Sequence, residues 1–172
     1  MSDTITLTQL QQKRVWEGQL SAEIRANYFA ELSGTYRFHQ RMANWLSLVF
    51  SSGAFATFLL KDGLEIAPYL ALLRPILAFV TAGLSAYSII AQNQDRATNC
   101  TELHTRWNKL AKEFEALWDD MYSETAPARL MRLEETATEL SKTGNAFPNK
   151  KKQLLKWQDH VVLRHSSSSS TT

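Results

Sequence analysis

An apolar run of nineteen residues without an ionisable side chain decides the fold; at positions 42–60 it reads MANWLSLVFSSGAFATFLL. A helix of that length, rising about 1.5 Å per residue, is about 28 Å long and matches the roughly 30 Å hydrocarbon core of a bilayer. The polar stretch KDGLE follows at 61–65, and a second apolar run covers 67–91, in which Arg74 is the one charged residue and is followed by Pro75. The pattern predicts a two-helix transmembrane hairpin at 42–91, with spans at about 42–60 and 69–91.

Outside this block the chain is polar, and its average composition hides the contrast. The mean hydropathy of −0.28 is that of a soluble protein, and the formal charge of +2 selects no class of partner. The single cysteine, Cys100, excludes an internal disulfide. Residues 1–41 lack the basic start and apolar core of a signal peptide, so we expect the first span to act as its own insertion signal.

Basic residues flank the hairpin on both sides, whereas the connecting loop holds only Lys61. Lysine and arginine are enriched on the cytoplasmic side of membrane spans. We therefore expect a multi-pass protein of the cell inner membrane with both termini in the cytoplasm. The flanking cations are Arg25, Arg37 and Arg41 before the first span, and Arg96, Arg106 and Lys109 after the second.

The second span carries small and hydroxylated residues along one helical face, within an arc of about 80°. Two interpretations stay open. The face lets helix backbones approach and hydrogen-bond, or several hairpins assemble with it lining a polar path. Arg74 at the outer end fits snorkelling to the interface or a role in gating. The candidate pore-lining or helix-packing residues of both spans are Ser47, Ser51, Arg74, Ala78, Thr81, Ser85, Ser88 and Gln92.

The flanking segments predict an all-α fold in which cytosolic helices form a helical bundle or coiled coil. An N-terminal helix occupies 1–41, with a break near Gly18 left open. In 92–145 a heptad helix is followed by a second helix, which Thr125 and Pro127 begin and Gly144 ends. In 146–172 a basic helix over about 149–165 precedes a Ser/Thr tail that we expect to be disordered.

Apolar residues from Cys100 onward alternate at spacings of three and four, which is typical of a heptad seam. No helix breaker separates them from the second span, so we expect one long helix to continue that span. The seam needs a partner surface, either the N-terminal helix of the same chain or a neighbouring subunit of a homo-oligomer. The oligomer or bundle seam comprises Leu103, Trp107, Leu110, Phe114, Leu117 and Met121.

Basic residues concentrate near the C-terminus, where five cations from position 146 onward face one acid, Asp159. The cluster is either a solvated surface or a contact for a partner or for anionic membrane lipid. It lacks the basic repeats of a nucleic-acid domain, so no direct nucleic-acid site is evident. The candidate partner or lipid contacts are Lys150, Lys151, Lys152 and Lys156.

Catalytic chemistry finds no support in the sequence. The four histidines are scattered, and no Cys/His cluster, glycine-rich phosphate loop or G-x-S-x-G motif occurs. We therefore expect no enzyme, no cofactor and no metal site.

Two segments resemble those that flank the spans of the SLATT family of small bacterial two-span membrane proteins. They are RANYFAELSGTYRFHQRMANW at 25–45 and SAYSIIAQNQDRATNCTELHTRWNKLAKEFEALW at 85–118, and the resemblance covers roughly 22–118. Proteins of that family look like pore-forming effectors of antiphage defence systems, associated with retrons or nucleotide signalling. The resemblance implies a toxin that damages the inner membrane once an infection sensor triggers it.

These observations predict an inner-membrane effector that oligomerises and permeabilises the membrane on phage infection, causing abortive infection. We expect a partner sensor to hold it inactive, such as a reverse transcriptase–RNA complex or a nucleotide-signalling enzyme. Residues after Thr125 lie outside the resemblance and are candidates for that contact. The alternatives are a non-enzymatic membrane anchor or scaffold that recruits a soluble partner through its heptad helix, and a soluble all-α bundle with an apolar central hairpin.

Overall fold

The computed structural model describes residues 7–51, 79–80, 82–83, 86–87 and 92–168. Within these ranges the predicted all-α class is confirmed, and no strand occurs. The long elements are α1 (Gln9–Ser51), α2 (Asn93–Asp119), α3 (Ala126–Gly144) and α4 (Lys151–Ser168). The chain divides into two compact units: the bundle unit, Met1–Leu32 with Asn99–Thr172, and the second unit, Ser33–Thr98.

A capping box starts α1. The backbone N–H of Gln11 donates to Thr8 Oγ1 at 3.3 Å, and the backbone N–H of Thr8 donates to Gln11 Oε1 at 2.9 Å. This reciprocal pair satisfies two N–H groups that the first turn of a helix leaves without partners. From there α1 runs unbroken to Ser51, so the break considered near Gly18 does not occur, and no helix end separates residue 41 from residue 42.

Gly18 marks a close approach of α1 and α2 in the bundle unit. A Cβ atom at this position would lie 2.6 Å from Cε1 and 2.7 Å from Cζ of Phe114. Both distances are far below van der Waals contact, and the Phe114 side chain is only 1% exposed. The glycine is therefore required because the phenyl ring fills the space of its missing side chain.

The helices of the bundle unit are arranged around α1. Helix α2 is antiparallel to it, since the rings of Trp16 and Trp118 are 5.8 Å apart at one end and His104 Nδ1 lies 2.8 Å from the Ala26 carbonyl oxygen at the other. Helix α3 is parallel to α1, because Arg14 pairs with Glu134, and Phe29 lies against Gly144 further along. Helix α4 is antiparallel to α1, with Trp157 near Glu31 and His165 near Glu23.

The ends of α3 and α4 follow local sequence signals to different degrees. Pro127 occupies the first turn of α3, and Gly144 is its last residue, as the sequence predicts. Helix α4 begins at Lys151 and extends to Ser168. The prediction that the serine run is disordered is thus wrong for its first three residues. The hydroxyls of Ser166 and Ser167 donate to carbonyl oxygens three residues back and so bond within their own helix; the last four residues of the chain lie outside the described ranges.

The prediction that one long helix continues the second span into the heptad helix is wrong, because the helical conformation is interrupted at Gln92. Gln92 has φ 45°, in the left-handed region that a side chain other than glycine adopts at a cost of about 1–2 kcal/mol. Its carbonyl oxygen accepts the first helical hydrogen bond of α2, from the Arg96 backbone N–H at 3.0 Å. Helix α2 therefore begins at Asn93.

In the second unit the N-terminal part of α2 packs against the C-terminal half of α1. The buried Ser33 hydroxyl donates to the Ala97 carbonyl oxygen at 3.1 Å. The Arg96 guanidinium lies 6.0 Å from the centroid of the Tyr36 ring. The described part of this unit thus combines a small buried contact with the exposed apolar side chains considered below.

Most of the predicted hairpin, 52–78 and several positions between 81 and 91, lies outside the described residues. Among the residues that are described, no helix is both long enough and apolar enough to cross a bilayer.

Replacing Gly18 by alanine should destabilise the protein, whereas the same change at Gly34 should stabilise it. The first variant forces a methyl group into the Phe114 ring, at a cost of about 1–3 kcal/mol. Nothing lies within 4 Å of a Cβ at position 34, so Gly34→Ala gains about 0.5–1 kcal/mol of helix propensity. Urea unfolding followed by circular dichroism measures both, and equal effects of the two variants would contradict the close approach.

Candidate functional site

Only three residues of the predicted polar face of the spans belong to the part of the chain that the structure describes. Five of its eight residues lie outside the described ranges: Arg74, Ala78, Thr81, Ser85 and Ser88. Ser47 is partly buried within α1, Ser51 is the last residue of that helix, and Gln92 is exposed before α2. The role of this face in pore lining or helix packing therefore stays a prediction.

The heptad residues of α2 lie in the core of the bundle unit. Their side chains are at most 3% exposed over Leu103, Trp107, Leu110, Phe114 and Leu117. Met121 falls beyond the end of α2 and is partly buried. The contacts of Phe114 with Gly18 and of Trp107 with Arg25 show that α1 of the same chain covers this face.

The predicted basic cluster is divided between two environments. Lys150, Lys151 and Lys152 are exposed at the start of α4. Lys156 instead forms an ion pair of 3.2 Å with Glu31 and lies 5.1 Å from the Trp157 ring centroid. Only the first three lysines therefore present an open cationic surface.

Glu31 of α1 is the main polar attachment for α4. Its carboxylate accepts hydrogen bonds from Trp157 Nε1 at 2.7 Å, Lys156 Nζ at 3.2 Å and Gln153 Nε2 at 3.4 Å. A hydrogen bond to a charged group contributes about 1.5–3 kcal/mol, more than a neutral one. Just beside it, the Tyr28 hydroxyl donates to the Pro148 carbonyl oxygen in the loop before α4.

A second attachment holds the other end of α4. His165 Nε2 lies 3.2 Å from Glu23 Oε2, and the imidazole meets the Trp16 ring edge-on with centroids 5.0 Å apart. We name the two attachments, Glu31 with Trp157 and Glu23 with His165, the α4 clasp. Sequence analysis missed both carboxylates, because an acid on a polar helix face carries no signal of a partner more than a hundred residues away.

Apolar burial contributes little to the docking of α4. Among the described side chains of α4, Val161 is the one that is fully buried, whereas Leu155 and Leu163 are 57% and 66% exposed. Burying a valine side chain is worth about 1.5–3 kcal/mol, and the ion pair of the exposed Lys156 with Glu31 less than about 1 kcal/mol. Elements with few buried apolar contacts open at the lowest free energy, so α4 is the part of the bundle unit most readily released.

An open cleft of about 510 Å³ lies in the bundle unit between α1, the loop after α3 and the inner side of α4. Arg25 and Tyr28 of α1, Asn145 and Phe147 of the loop, and Leu154 and Gln158 of α4 contribute to its lining. No group of three or more His, Cys, Asp or Glu side chains suited to a metal ion occurs among the described residues. The groups of the cleft that remain as candidates for ligand contact are its cation, its amides and its aromatic rings.

Cys100 is an inert core residue. Its side chain is fully buried, and burial raises the pKa of the thiol to about 11. At pH 8 only about one molecule in a thousand would carry the reactive thiolate even if a reagent could reach it.

Cys100 should therefore resist alkylation by iodoacetamide at pH 8 in the folded protein and react completely in denaturant. The unfolded chain releases this proton near pH 9, before the folded chain does. The Cys100 contribution to the free energy of unfolding should accordingly fall as the pH rises from 9 towards 11. Intact-mass spectrometry counts the modified thiols, and rapid labelling without denaturant would show that this core position is open.

Glu31→Ala should release α4 without unfolding the rest of the bundle unit. Loss of the charged acceptor leaves the buried side of Trp157 without its partner, and amide exchange in 151–168 should accelerate about tenfold or more. Glu135→Ala, at an exposed position of α3, is the matched control. Hydrogen-exchange mass spectrometry decides, and unchanged exchange in α4, or equal acceleration in both variants, would refute the clasp.

No protein-family model, curated protein or solved structure matches the chain. The resemblance to the SLATT family consequently stays a prediction.

Proposed function

We propose that this chain is an inner-membrane effector of an antiphage defence system that oligomerises and permeabilises the membrane on infection. The observation that carries the proposal is the pair of apolar runs, 42–60 and 67–91, each of spanning length and separated by a short polar stretch. The reaction to infection comes from the family resemblance of 25–45 and 85–118. No catalytic chemistry is required, because the damage is a path for ions.

Exposed apolar side chains on the C-terminal half of α1 support contact with lipid. Phe38, Trp45 and Leu48 are 60%, 59% and 67% exposed, and Met42 is 41% exposed. At 100° per residue they fall within an arc of about 120° on one helix face. An exposed apolar face of this kind needs a bilayer or another protein to cover it, and tryptophan favours the membrane interface.

The alternative of a membrane anchor that recruits a partner through its heptad helix is less well supported. The seam residues of α2 pack against α1 of the same chain. Exposing them to a partner would require the bundle unit to open. An effector that keeps this core closed at rest fits the burial better than a scaffold that offers it.

The weak docking of α4 supports its use as the trigger element. This helix lies outside the family resemblance, carries three exposed lysines at its start and is held mainly by the α4 clasp. In the proposed resting state α4 lies on α1, and the sensor acts by changing that contact.

Membrane potential tests the proposal directly. In cells that carry the chain with its neighbouring genes, a potential-sensitive dye should report depolarisation after phage infection. Replacing Thr81, Ser85 and Ser88 together by leucine should abolish the depolarisation, since the polar face would become apolar. The matched control exchanges aliphatic residues that lie outside the 80° arc of the polar face, Leu77→Ile, Leu84→Ile and Ile90→Leu, and should keep the depolarisation.

Fractionation provides the second measurement. The effector should remain with the membranes after an alkaline wash and enter solution only with detergent. Recovery in the soluble fraction without detergent would favour the alternative of a soluble all-α bundle and contradict the effector proposal. An unchanged potential during infection, in cells where the chain is membrane-bound, would favour the anchor.

A further inference from the structure

Arg25 stands at the cleft of the bundle unit without an acidic partner. Within the described residues, no carboxylate forms an ion pair with it. Burial lowers the pKa of its guanidinium from the ordinary value, although an arginine stays charged at neutral pH. A partly buried cation without a counter-charge costs folding free energy, so an anion bound beside it would recover part of that cost.

The packing of Arg25 leaves its hydrogen-bond donors available. Its guanidinium carbon lies 5.1 Å from the centroid of the Trp107 ring. A cation–π contact of this kind depends on the charge of the guanidinium and does not require its five N–H donors. The buried Trp107 indole N–H likewise has no acceptor among the described residues. Within the described residues, Arg25 and Trp107 thus both carry N–H donors without a protein acceptor.

The rest of the cleft lining combines aromatic rings with amide side chains. Tyr28 and Phe29 meet edge-on with centroids 5.2 Å apart, and Phe147 lies 6.0 Å from Phe29. Asn145 and Gln158 add amide donors and acceptors. Tyr28 and Phe29 are themselves almost fully buried, so the partly exposed ring of Phe147 is the aromatic surface that a flat ligand ring can contact. The volume of about 510 Å³ is in the range of small-molecule sites.

One carboxylate also belongs to the lining. Glu17 is exposed and forms an ion pair of 3.6 Å with Lys13 one turn earlier in α1. Its charge is thus partly balanced at the rim and lies two helical turns from Arg25. The guanidinium remains the charged group available to a ligand in the cleft.

We propose that this cleft binds a small organic oxyanion with a flat aromatic body, whose charged group pairs with Arg25 and whose ring lies against Phe147. The site is independent of the membrane function proposed above. Because Leu154 and Gln158 belong to α4, the bound anion would contact both α1 and α4.

Phenyl phosphate is the probe for this site, with hexyl phosphate and inorganic phosphate as comparisons. Isothermal titration of the full-length protein in detergent should show phenyl phosphate binding more tightly than either. Absence of binding by phenyl phosphate would overturn the proposal. Tighter binding of hexyl phosphate would also overturn it, because that result indicates a site for a lipid-like chain. Equal binding of inorganic phosphate would overturn it as well, because the aromatic ring would then contribute nothing to the affinity.

Substitutions then locate the binding. Arg25→Gln should weaken phenyl phosphate binding about tenfold or more, as loss of a charge-assisted pair does. Arg132→Gln, which removes an exposed arginine of α3, should leave it unchanged. Equal weakening by both variants would indicate general attraction of anions and refute the site.

A second variant tests the site in case Arg25→Gln does not fold. Gln158 is exposed on the α4 wall, so Gln158→Glu should preserve the fold while its negative charge weakens binding. Gln9→Glu at the exposed start of α1 is its control. Unfolding temperatures supply a further readout: Arg25→Gln should keep or raise that of the free protein, because an unpaired charge is removed. A clear fall in that temperature, with unchanged phenyl phosphate binding, would assign Arg25 to packing on Trp107 alone.

Discussion

The contact between Gly18 and the ring of Phe114 determines how closely α1 and α2 approach, and the rest of the bundle unit is built on that distance. Two helices carrying large residues at this level would stand further apart. The neighbouring aromatic contacts, from Trp16 with Trp118 to Arg25 over Trp107, all lie along the same antiparallel interface. The interface is therefore apolar, tightly packed and dependent on one missing side chain.

The interface between α1 and α4 follows the opposite principle. Its defined contacts are the hydrogen bonds to Glu31 and the contacts of His165 with Glu23 and Trp16, and one fully buried valine lies between them. Apolar contacts tolerate small shifts, whereas hydrogen bonds are lost within about an ångström. The bundle unit thus combines a core that resists opening with a helix whose attachment can be removed at a few atoms.

Local patterns were sufficient to predict the parts of this fold that depend on local physics. The spacing of apolar residues after Cys100 identified the face of α2 that lies in the core, and Pro127 and Gly144 marked the first turn and the end of α3. The partner of that face could not be read, because the same heptad pattern suits another helix of the chain or a second subunit. The positive φ of Gln92 could not be predicted from the sequence, since glutamine has no preference for that conformation.

The candidate sites in the bundle unit were beyond sequence reasoning for a related reason. Glu23 and Glu31 are ordinary acids of a helix, and Arg25 was read only as one of the cations beside the hairpin. Their roles come from residues of α4 and of the loop after α3, which the fold brings to them from far along the chain. Lys156 is an example of the opposite error. The sequence predicts one basic cluster, but Lys156 pairs with Glu31 and so differs from the three exposed lysines before it.

The α4 clasp can form only late in the synthesis of the chain. Glu31 and Trp157 are separated by 126 residues, and a ribosome adds about 5–20 residues per second. Roughly 6–25 s therefore pass between the synthesis of the carboxylate and that of its indole partner. During this interval the apolar stretch at 42–91 leaves the ribosome while α1 has no α4 to bind. The contact that holds α4 is among the last that a newly made chain can form, and every molecule passes through a period without it.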